Sequence, residues 1–457
     1  MELFEHQKQA LDQTKDLNRV AYYLDMGLGK TFVGAEKMIQ LGKKVNLVVC
    51  QKSKVDDWID HFNKYYPPVD GVYMYDLTNK KEMQFFLEEC EESKSINLGF
   101  IPIIGVINYD LLFRRPVLKQ LHDFTLMLDE SSLIQNDKAK RSKFILEMNP
   151  SNVILLSGTP TSGKYENLWT QIHLLGWTIS QNTYNKQYIN WKKIDIGGFP
   201  QWIVNKDDPY KNVDRLKLKM REHGAVFMKT EECFDLPEQT FIPVTVETTK
   251  EYRKFKRDSI ITIDTLNLHE FKDDSDFYGK DVTPRVELIG DTTLAKRQYL
   301  RMLCGQYNKN KLQSFKDLVS STQDRLIVFY NFNEELNQLK KIAESLERPV
   351  SEVNGHVKDL DAYEHEDDSI TFVQYQAGSM GLNLQKANKI IYFTLPLLSE
   401  HFEQSKKRIH RIGQTNTCFY YLMMCKGSIE EEILQTLEMR KDYTDELFKE
   451  SDRKSVV

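Results

Sequence analysis

A short stretch near the start of the chain constrains the fold more than any other feature. Residues 19–24 read RVAYYL, which has the length and apolar content of a buried strand. Residues 24–31 read LDMGLGKT, and a segment with helical periodicity, Thr31–Leu41, follows. A strand, a glycine-rich turn and a helix in this order predict a loop that holds phosphate. Leu24 stands where the strict G-x-x-x-x-G-K-[ST] pattern has its first glycine, so an ordinary glycine-rich turn is the alternative.

The residue types in this loop predict a nucleotide site. Gly27 and Gly29, on either side of Leu28, allow the backbone to approach phosphate oxygens closely, and the start of the helix directs N–H groups towards the anion. Lys30 can reach the β- and γ-phosphates, and Thr31 can ligate Mg²⁺. We therefore predict that residues 27–31 bind a nucleoside triphosphate.

The pattern of strand followed by helix recurs along the chain and predicts an α/β fold. The pattern occurs twice, which indicates two doubly wound, parallel-sheet lobes, at residues 1–235 and 236–457. Residues 165–222 and 251–321 are rich in Tyr, Trp, Lys and Asn, and we predict that they form mainly helical insertions. The other predicted strands are Val45–Cys50, Phe124–Leu128, Asn152–Leu156, Arg325–Tyr330, Ser369–Gln376, Lys389–Leu395 and Cys418–Cys425.

Composition excludes several classes of protein. With 40% hydrophobic and 28% charged residues, the 457-residue chain is neither fibrous nor wholly disordered. The formal charge of -5 excludes a polycation, so any surface that binds nucleic acid must concentrate its basic residues. Neither a signal peptide nor a membrane span is predicted. The six cysteines include no C-x-x-C pair, which predicts reduced thiols in a cytoplasmic protein.

Two further segments carry candidate catalytic residues of the first lobe. The predicted strand in FTLMLDESS ends at Asp129 and Glu130, at the sheet edge where α/β proteins bind ligands. There Asp129 could hold Mg²⁺ and Glu130 could activate the attacking water, although a solvated Asp-Glu turn is the plain alternative. The segment LLSGTP also follows a strand. Its hydroxyls, Ser157 and Thr159, could relay between the nucleotide and a second site, or simply form a turn.

The second lobe contributes a glycine-rich and a basic segment. QAGSMGLNL, residues 376–384, contains two glycines beside a predicted helix start, which suits phosphate contacts. In QSKKRIHRIGQ, Gln404, Arg408 and Arg411 are spaced by four and three residues, which on a helix places them on one face. We predict that Arg411 stabilises the γ-phosphate and that Arg408 lies beside it at the nucleotide. A solvated basic face is the alternative.

Together these segments resemble a known family. In order along the chain they include EHQ at residues 5–7, DMGLGKT, VVCQKSKVDDW, INYD, LDES, LSGTP, LIVFYN, GSMGLNLQ and QSKKRIHRIGQ. The set resembles the Swi/Snf-like ATPases of helicase superfamily two, and the resemblance runs from about residue 7 to about residue 414. MGLGKT, GLNLQKA and RIHRIGQ are together its most specific part. The segment GSIEEEIL resembles the start of the closing helix of the family, here expected at about residues 428–450.

The resemblance implies a motor with two RecA-like lobes that binds ATP with Mg²⁺ between Lys30 and Arg411, with Gln404 also at the nucleotide. Gln7 would contact the adenine. Family members move along double-stranded DNA and generally do not separate its strands. The resemblance further implies contacts with the phosphate backbone of DNA, for which the candidates are Lys52, Ser53, Asn108, Tyr109, Ser379 and Asn383.

The chain departs from the family pattern at several positions. Ser131 and Ser132 follow the acidic pair where the family usually has A/G-H, so the histidine that links ATP to the DNA side is missing. The compact motor resembles versions from bacteria or their viruses, acting as a monomer in the bacterial or infected-cell cytoplasm at the nucleoid. Two alternatives stay open: a strand-separating helicase, for which no wedge hairpin or stacking platform can be assigned, and a DNA-bound scaffold switched by ATP.

Overall fold

The computed structural model describes residues 2–67, 72–92, 102–196, 198–264, 285–376 and 382–449. The chain divides into two compact units. The first unit comprises Met1–Phe234 and Arg440–Val457, and the second comprises Asp235–Met439. Each unit is built on its own seven-stranded sheet.

The sheet of the first unit is parallel and has the strand order β3-β4-β2-β5-β6-β1-β9. The strands of the first unit are β1 (Arg19–Leu24), β2 (Val45–Cys50), β3 (Tyr73–Asp76), β4 (Ile103–Asn108), β5 (Phe124–Asp129), β6 (Asn152–Leu156), β7 (Trp191–Ile196), β8 (Phe199–Val204) and β9 (Ala225–Met228). Of these, β7 and β8 form a hairpin that lies outside the seven-stranded sheet. The order places β6 between β1 and β5, so the segments that follow these three strands share one edge of the sheet.

Helices cover both faces of this sheet, because successive side chains of each strand enter opposite cores. Val20, Tyr22 and Leu24 of β1 enter one core, whereas Ala21 and Tyr23 enter the other. The helices are α1 (Glu5–Gln13), α2 (Lys30–Gln40), α3 (Val55–Tyr65), α4 (Lys80–Glu92), α5 (Tyr109–Leu112), α6 (Lys140–Glu147), α7 (Trp169–Leu174), α8 (Gln181–Tyr188), α9 (Val213–Glu222) and α10 (Thr230–Cys233). Short 3₁₀ helices lie at Lys52–Lys54, Pro116–Gln120, Ser131–Ile134 and Tyr165–Asn167.

The second unit repeats this architecture with the strand order β10-β18-β17-β13-β16-β14-β15. All neighbours pair in parallel except β14 and β15. The strands are β10 (Gln239–Val246), β11 (Ile260–Asp264), β12 (Arg285–Ile289), β13 (Leu326–Tyr330), β14 (Val350–Val353), β15 (Lys358–Asp359), β16 (Ile370–Gln374), β17 (Lys389–Tyr392) and β18 (Cys418–Cys425). The helices are α11 (Lys250–Asp258), α12 (Thr293–Cys304), α13 (Lys309–Ser320), α14 (Asn333–Ser345), α15 (Asp361–His365), α16 (Ser399–Lys406) and α17 (Ile429–Phe448).

The predicted fold class, two doubly wound α/β lobes, is confirmed, and all eight predicted strands are present. The two predicted insertions contain helices, and each also contains an antiparallel pair of strands that was not predicted. The first insertion contains the antiparallel hairpin β7–β8, and the second contains the antiparallel pair β11–β12. Their mixed polar and aromatic composition lacks the continuous apolar run that marks a strand buried on both faces.

The end of the chain also departs from the predicted division. Residues from Arg440 group with the first unit, although the sequence assigns them to the second lobe. Tyr443 contacts Tyr165 and Tyr210 edge-on, and Leu447 and Phe448 enter a core of the first unit. The division therefore falls within α17, because the last turns of this helix bury their apolar side chains in the first unit.

Candidate nucleotide site

The glycine-rich loop has the conformation that its sequence requires. Gly27 and Gly29 have φ angles of +91° and +73°, in the left-handed region that favours glycine. A Cβ atom on Gly29 would lie 2.3 Å from Nε2 of Gln7, so a larger residue cannot occupy this position without moving the glutamine. The loop therefore depends on glycine both for its backbone angles and for its packing.

Lys30 begins α2 and turns its ammonium group back over the loop. Its Nζ donates to the carbonyl oxygen of Leu24 at 3.0 Å and lies 3.5 Å from that of Asp25. A Cβ atom on Gly158, in the SGTP segment, would lie 3.3 Å from this Nζ. Lys30 forms no ion pair within the part of the chain that the structure describes. The Lys30 ammonium group therefore lies against both the glycine-rich loop and the SGTP segment. Among the described residues, no carboxylate forms an ion pair with it.

Gln7 supports the loop from α1. Its Nε2 donates to the carbonyl oxygen of Leu28 at 3.1 Å, and its Oε1 accepts from the backbone N–H of Phe4 at 3.0 Å. A ring nitrogen of His6 lies 2.9 Å from the same Leu28 oxygen. The residue predicted to contact adenine is thus buried against the loop, and it joins the loop to the start of the chain.

Asp129, at the end of β5, lies in a largely buried environment. Burial raises the pKa of Asp129, while a hydrogen bond from Trp58 and the charge of Lys30 oppose that rise. The Nε1–H of Trp58 donates to Oδ2 of Asp129 at 2.9 Å, and the hydroxyl of Tyr109 donates to its carbonyl oxygen at 2.9 Å. These two aromatic side chains hold the acidic strand end from both its side chain and its backbone.

Glu130 adopts a left-handed backbone conformation, with φ +53° and ψ +59°. Such angles are uncommon outside glycine, and they occur often at functional sites. The hydroxyl of Ser157 lies 3.5 Å from Oε2 of Glu130, and the backbone N–H of Thr159 donates to the same hydroxyl at 3.2 Å. The acidic pair and the SGTP segment are therefore in direct contact.

Gln171, in α7, connects the same two segments and was missed by the sequence analysis. Its Oε1 accepts from the hydroxyl of Ser131 at 2.7 Å and from that of Tyr23 at 3.1 Å. Its Nε2 donates to the carbonyl oxygen of Pro160 at 2.7 Å. A fully buried glutamine in the apolar segment LWTQIHLL was the available signal, because buried amides need hydrogen-bond partners.

The arginines of the second unit are close together, but not for the predicted reason. α16 ends at Lys406, so Arg408 and Arg411 lie beyond the helix and the predicted helical face is wrong. Instead both guanidinium groups approach the carbonyl oxygen of Leu382, at 3.3 Å and 3.5 Å. The backbone of Arg408 accepts from the N–H of Leu384 at 3.1 Å, which holds the non-helical turn against this segment.

Other contacts in the second unit place the remaining predicted residues. Arg411 donates to the side-chain oxygen of Asn383, so a residue predicted to contact DNA instead accepts from the predicted γ-phosphate arginine. Burial lowers the pKa of Arg411. Gln404 is buried in α16 and donates to Glu400 at 3.2 Å. Ser379 and the two glycines of QAGSMGLNL lie outside the described residues.

The predicted DNA contacts of the first unit differ in accessibility. Lys52 and Ser53 are exposed in a 3₁₀ helix that follows β2. Asn108 and Tyr109 are only 4% and 3% exposed. Tyr109 is turned inward because its hydroxyl is bound to the end of β5. Of these four residues, only Lys52 and Ser53 present polar groups at the surface, where a ligand can contact them.

The fold and these contacts define an α/β protein with a phosphate loop, an acidic pair and an SGTP segment at one edge of its first sheet. The model of the SNF2-related domain matches residues 23–282, and that of the Helicase conserved C-terminal domain matches residues 310–413. Because the first match covers more than half of the chain, the protein belongs to the SNF2-related family.

Several known proteins are similar to this chain. YwqA of Bacillus subtilis (strain 168), named as a candidate ATP-dependent helicase/translocase, is 22% identical over 446 residues, covering 93% of this chain and 46% of its own length. The ISWI chromatin-remodeling complex ATPase ISW1 of Saccharomyces cerevisiae is 22% identical, covering 93% of this chain and 38% of its own. The chain thus spans less than half the length of these relatives.

A solved structure is also similar. It is the Sulfolobus solfataricus SWI2/SNF2 ATPase core in complex with dsDNA, at 19% identity and a TM-score of 0.41, covering 97% of this chain and 92% of that one. Separately, none of the helices in the described part of the chain has both the length and the apolar character that a membrane crossing requires.

Proposed function

We propose that the protein is an ATP-driven motor that moves along double-stranded DNA. One observation carries the proposal: Lys30 lies against the SGTP segment, which in turn contacts Glu130 through Ser157. A site for γ-phosphate hydrolysis needs a cation on the phosphate, a carboxylate for the water, and a sensor that contacts both. The contacts among these three segments support that division of labour.

In the proposed site the residues have separate roles. The backbone of Gly27, Leu28 and Gly29 binds the phosphates, and Lys30 binds the β- and γ-phosphates. Gln7 contacts the adenine and also supports the loop through its hydrogen bond to Leu28. Glu130 orients the attacking water and accepts its proton.

The donors for Mg²⁺ are the hydroxyl of Thr31 and the carboxylate of Asp129, which is the oxygen chemistry that this ion takes. When bound, the ion neutralises charge on the phosphate oxygens. The hydrogen bond from Trp58 holds one oxygen of the Asp129 side chain in place, which suits a metal ligand.

The second unit supplies the remaining charge in this proposal. Arg411 stabilises the γ-phosphate during hydrolysis, Arg408 lies beside it, and Gln404 contributes to nucleotide binding. Arg411 now contacts Asn383 and the Leu382 carbonyl, so it must exchange these contacts for phosphate in the active state. We propose that DNA binding promotes this exchange, and that Thr159 takes part in the coupling because its buried hydroxyl has no partner among the described residues.

The DNA is proposed to be contacted mainly through its phosphates, because a motor must ignore sequence. Lys52 and Ser53 are the exposed candidates in the first unit. We further propose that the protein moves along the duplex without separating its strands. Strand separation is kept as a second candidate, because the β7–β8 hairpin exposes aromatic side chains.

Steady-state ATP turnover without nucleic acid, and with single-stranded DNA, duplex DNA or RNA, tests the proposal. We expect duplex DNA to give the largest stimulation. The Glu130→Gln variant keeps the shape of the side chain but removes the base, so we expect it to bind ATP and to hydrolyse it far more slowly. Turnover at the wild-type rate in this variant, or turnover indifferent to all nucleic acids, would contradict the proposal.

A second assay on the same preparation separates the two candidate activities. A duplex motor displaces the third strand of a triplex in an ATP-dependent way and leaves a forked duplex paired. Efficient unwinding of the fork without triplex displacement would identify a strand-separating helicase instead.

A further inference from the structure

The β7–β8 hairpin has the most exposed aromatic surface in the described part of the first unit. Phe199 and Trp202 are 73% and 64% exposed, and Trp191 is also exposed. A soluble protein rarely leaves large aromatic side chains in water without a binding role when they cluster in one element. The hairpin lies outside the seven-stranded sheet, so its aromatic side chains are not needed to cover that sheet.

Lysines alternate with these aromatic residues. Lys193 pairs directly with Trp202 across the hairpin, and Trp191 is two residues away on the same strand, so all three share one face. Lys192 belongs to the opposite face, together with Phe199 near the turn. Each face therefore combines an exposed aromatic ring with a positive charge.

The lysine charges are available to a ligand. Within the described residues, neither Lys192 nor Lys193 forms an ion pair or a side-chain hydrogen bond, and both are exposed. The nearby acid Asp195 is engaged locally, because its carboxylate accepts from the N–H of Gly198 at 2.7 Å. The hairpin therefore combines exposed aromatic side chains with two lysines that are not paired with an acid in the described part of the chain.

The base of the hairpin is firmly anchored. Ile189 bridges to Tyr210 directly below the paired strands, and Tyr210 stacks on Tyr165 with ring centroids 4.2 Å apart. Tyr165 and Ile189 are themselves part of a buried core of the first unit. The aromatic tip is therefore presented on a rigid support, which lowers the entropy cost of binding.

We propose that one face of this hairpin binds unpaired DNA bases, which stack on Trp202 and Trp191 while Lys193, on the same face, contacts a neighbouring phosphate. Aromatic rings beside a basic track are the combination that holds single strands without regard to sequence. The proposal rests on the proposed function as a DNA motor, and it adds a preference for DNA that contains a single-stranded segment.

Binding of a short oligothymidylate to the full chain, without nucleotide and at low salt, tests the hairpin directly. We expect Trp202→Ala to weaken binding about tenfold, the scale of one lost base stack. Phe199→Ala, on the opposite face, should weaken it less. Trp202→Phe should keep affinity within about threefold, because phenylalanine still stacks, while removing much of the quenching of tryptophan fluorescence that the oligonucleotide causes. Thermal unfolding should not change, because these side chains are exposed.

Phe85→Ala is the matched control. Phe85 is 58% exposed on α4 of the same unit, but three of its four helical neighbours at three and four positions are acidic, namely Glu82, Glu88 and Glu89, and the fourth is Lys81. An exposed ring in this acidic setting should not bind DNA, so the variant should bind the oligonucleotide like the wild type. Equal losses in Phe85→Ala and Trp202→Ala would overturn the assignment to the hairpin.

Other outcomes would also overturn it. Wild-type affinity in Trp202→Ala would exclude base stacking on this face. Equal losses of affinity for oligothymidylate and for plain duplex would exclude it as well. A change in self-association with DNA affinity intact would make the hairpin a protein-docking surface instead. Because this assay needs no ATP, hairpin-dependent binding in a protein whose ATPase ignores DNA would refute the motor while leaving this site in place.

Discussion

The phosphate loop of the first unit and the arginine segment of the second unit carry complementary predicted chemistry, but they are built differently. The loop joins a buried strand to a helix, and Gln7 and His6 both bind its Leu28 carbonyl. The arginine segment lies beyond the end of α16, where Arg408 and Arg411 converge on the single carbonyl of Leu382. Several independent contacts hold the loop in one conformation, whereas the Arg411 side chain depends on contacts that a phosphate could replace.

In the proposed nucleotide site, the phosphate loop is therefore a preorganised half-site, whereas the arginine segment is a half-site that must rearrange. Preorganised donors lose little free energy to reorganisation at the moment of reaction. In the proposed mechanism Arg411 would have to exchange a carbonyl and an amide oxygen for phosphate, so its contribution could be made conditional on DNA. Changes at five positions test this comparison.

The largest effect is expected for Arg411→Ala. An arginine that stabilises γ-phosphate transfer is worth on the order of 10³–10⁵ in rate, so the variant should lose most of the duplex-stimulated turnover. Nucleotide affinity should stay within about tenfold, or about 1.4 kcal/mol, because the phosphate loop is intact. Parallel measurements of ATP binding and of turnover with and without duplex check this. Full stimulation in the variant would contradict the rearranging half-site.

A smaller but still severe effect is expected for Lys30→Ala. Loss of the cation on the transferred phosphate should lower both basal and stimulated turnover by on the order of 10³. The fold should remain, since Lys30 contributes hydrogen bonds only to loop carbonyls. Lys43→Ala is the control, because Lys43 pairs with Asp123 at the opposite edge of the sheet. Normal turnover in a folded Lys30→Ala protein would refute the site.

Gln171→Leu sharpens the comparison within the first unit. The change leaves the buried hydroxyls of Ser131 and Tyr23 without this acceptor, which should cost about 1–3 kcal/mol of stability. If Gln171 transmits between the acidic pair and the SGTP segment, duplex stimulation should fall about tenfold, or about 1.4 kcal/mol, while basal turnover changes little.

Ser131→Ala and the double variant complete a cycle for this contact. Because one hydrogen bond joins the two side chains, we expect the double variant to be less destabilised than the sum of the single variants. If the losses of stability are additive and the stimulation by duplex DNA is unchanged, Gln171 has only a packing role.

The smallest effect concerns pH. His61 of α3 packs edge-on against Phe32, beside the loop, and burial, with a contribution from Lys64, lowers the pKa of His61 to about 4. Since the folded pKa is below the unfolded value, the unfolded state takes up the proton first, and stability is lost as pH falls from about 6.5 towards 4. The loss should reach about 1.4 kcal/mol at pH 5.5. His61→Phe should remove this part of the acid dependence in denaturant titrations, and an unchanged profile would show that His61 titrates normally.

Parts of the site followed from local sequence. The order of strand, loop and helix around Lys30 is written in consecutive residues, so periodicity and glycine placement sufficed to predict it. The acidic pair at the end of β5 was equally accessible, because a buried parallel strand is a continuous apolar run. The prediction that Gln404, Arg408 and Arg411 share one face of a helix was wrong, because spacing alone does not show where a helix ends.

Sequence alone therefore determined the two α/β lobes, the phosphate loop and the candidate acids, since each is encoded within one strand or one turn. Only the tertiary structure decided that Gln171 bridges Ser131 and Pro160, that Tyr109 faces inward, and that the hairpin faces water. These features depend on the order of strands in the sheet and on which side chains find partners across it. Residues forty positions apart, such as Ser131 and Gln171, meet only after β1, β5 and β6 are in place, so no local pattern reports their contact.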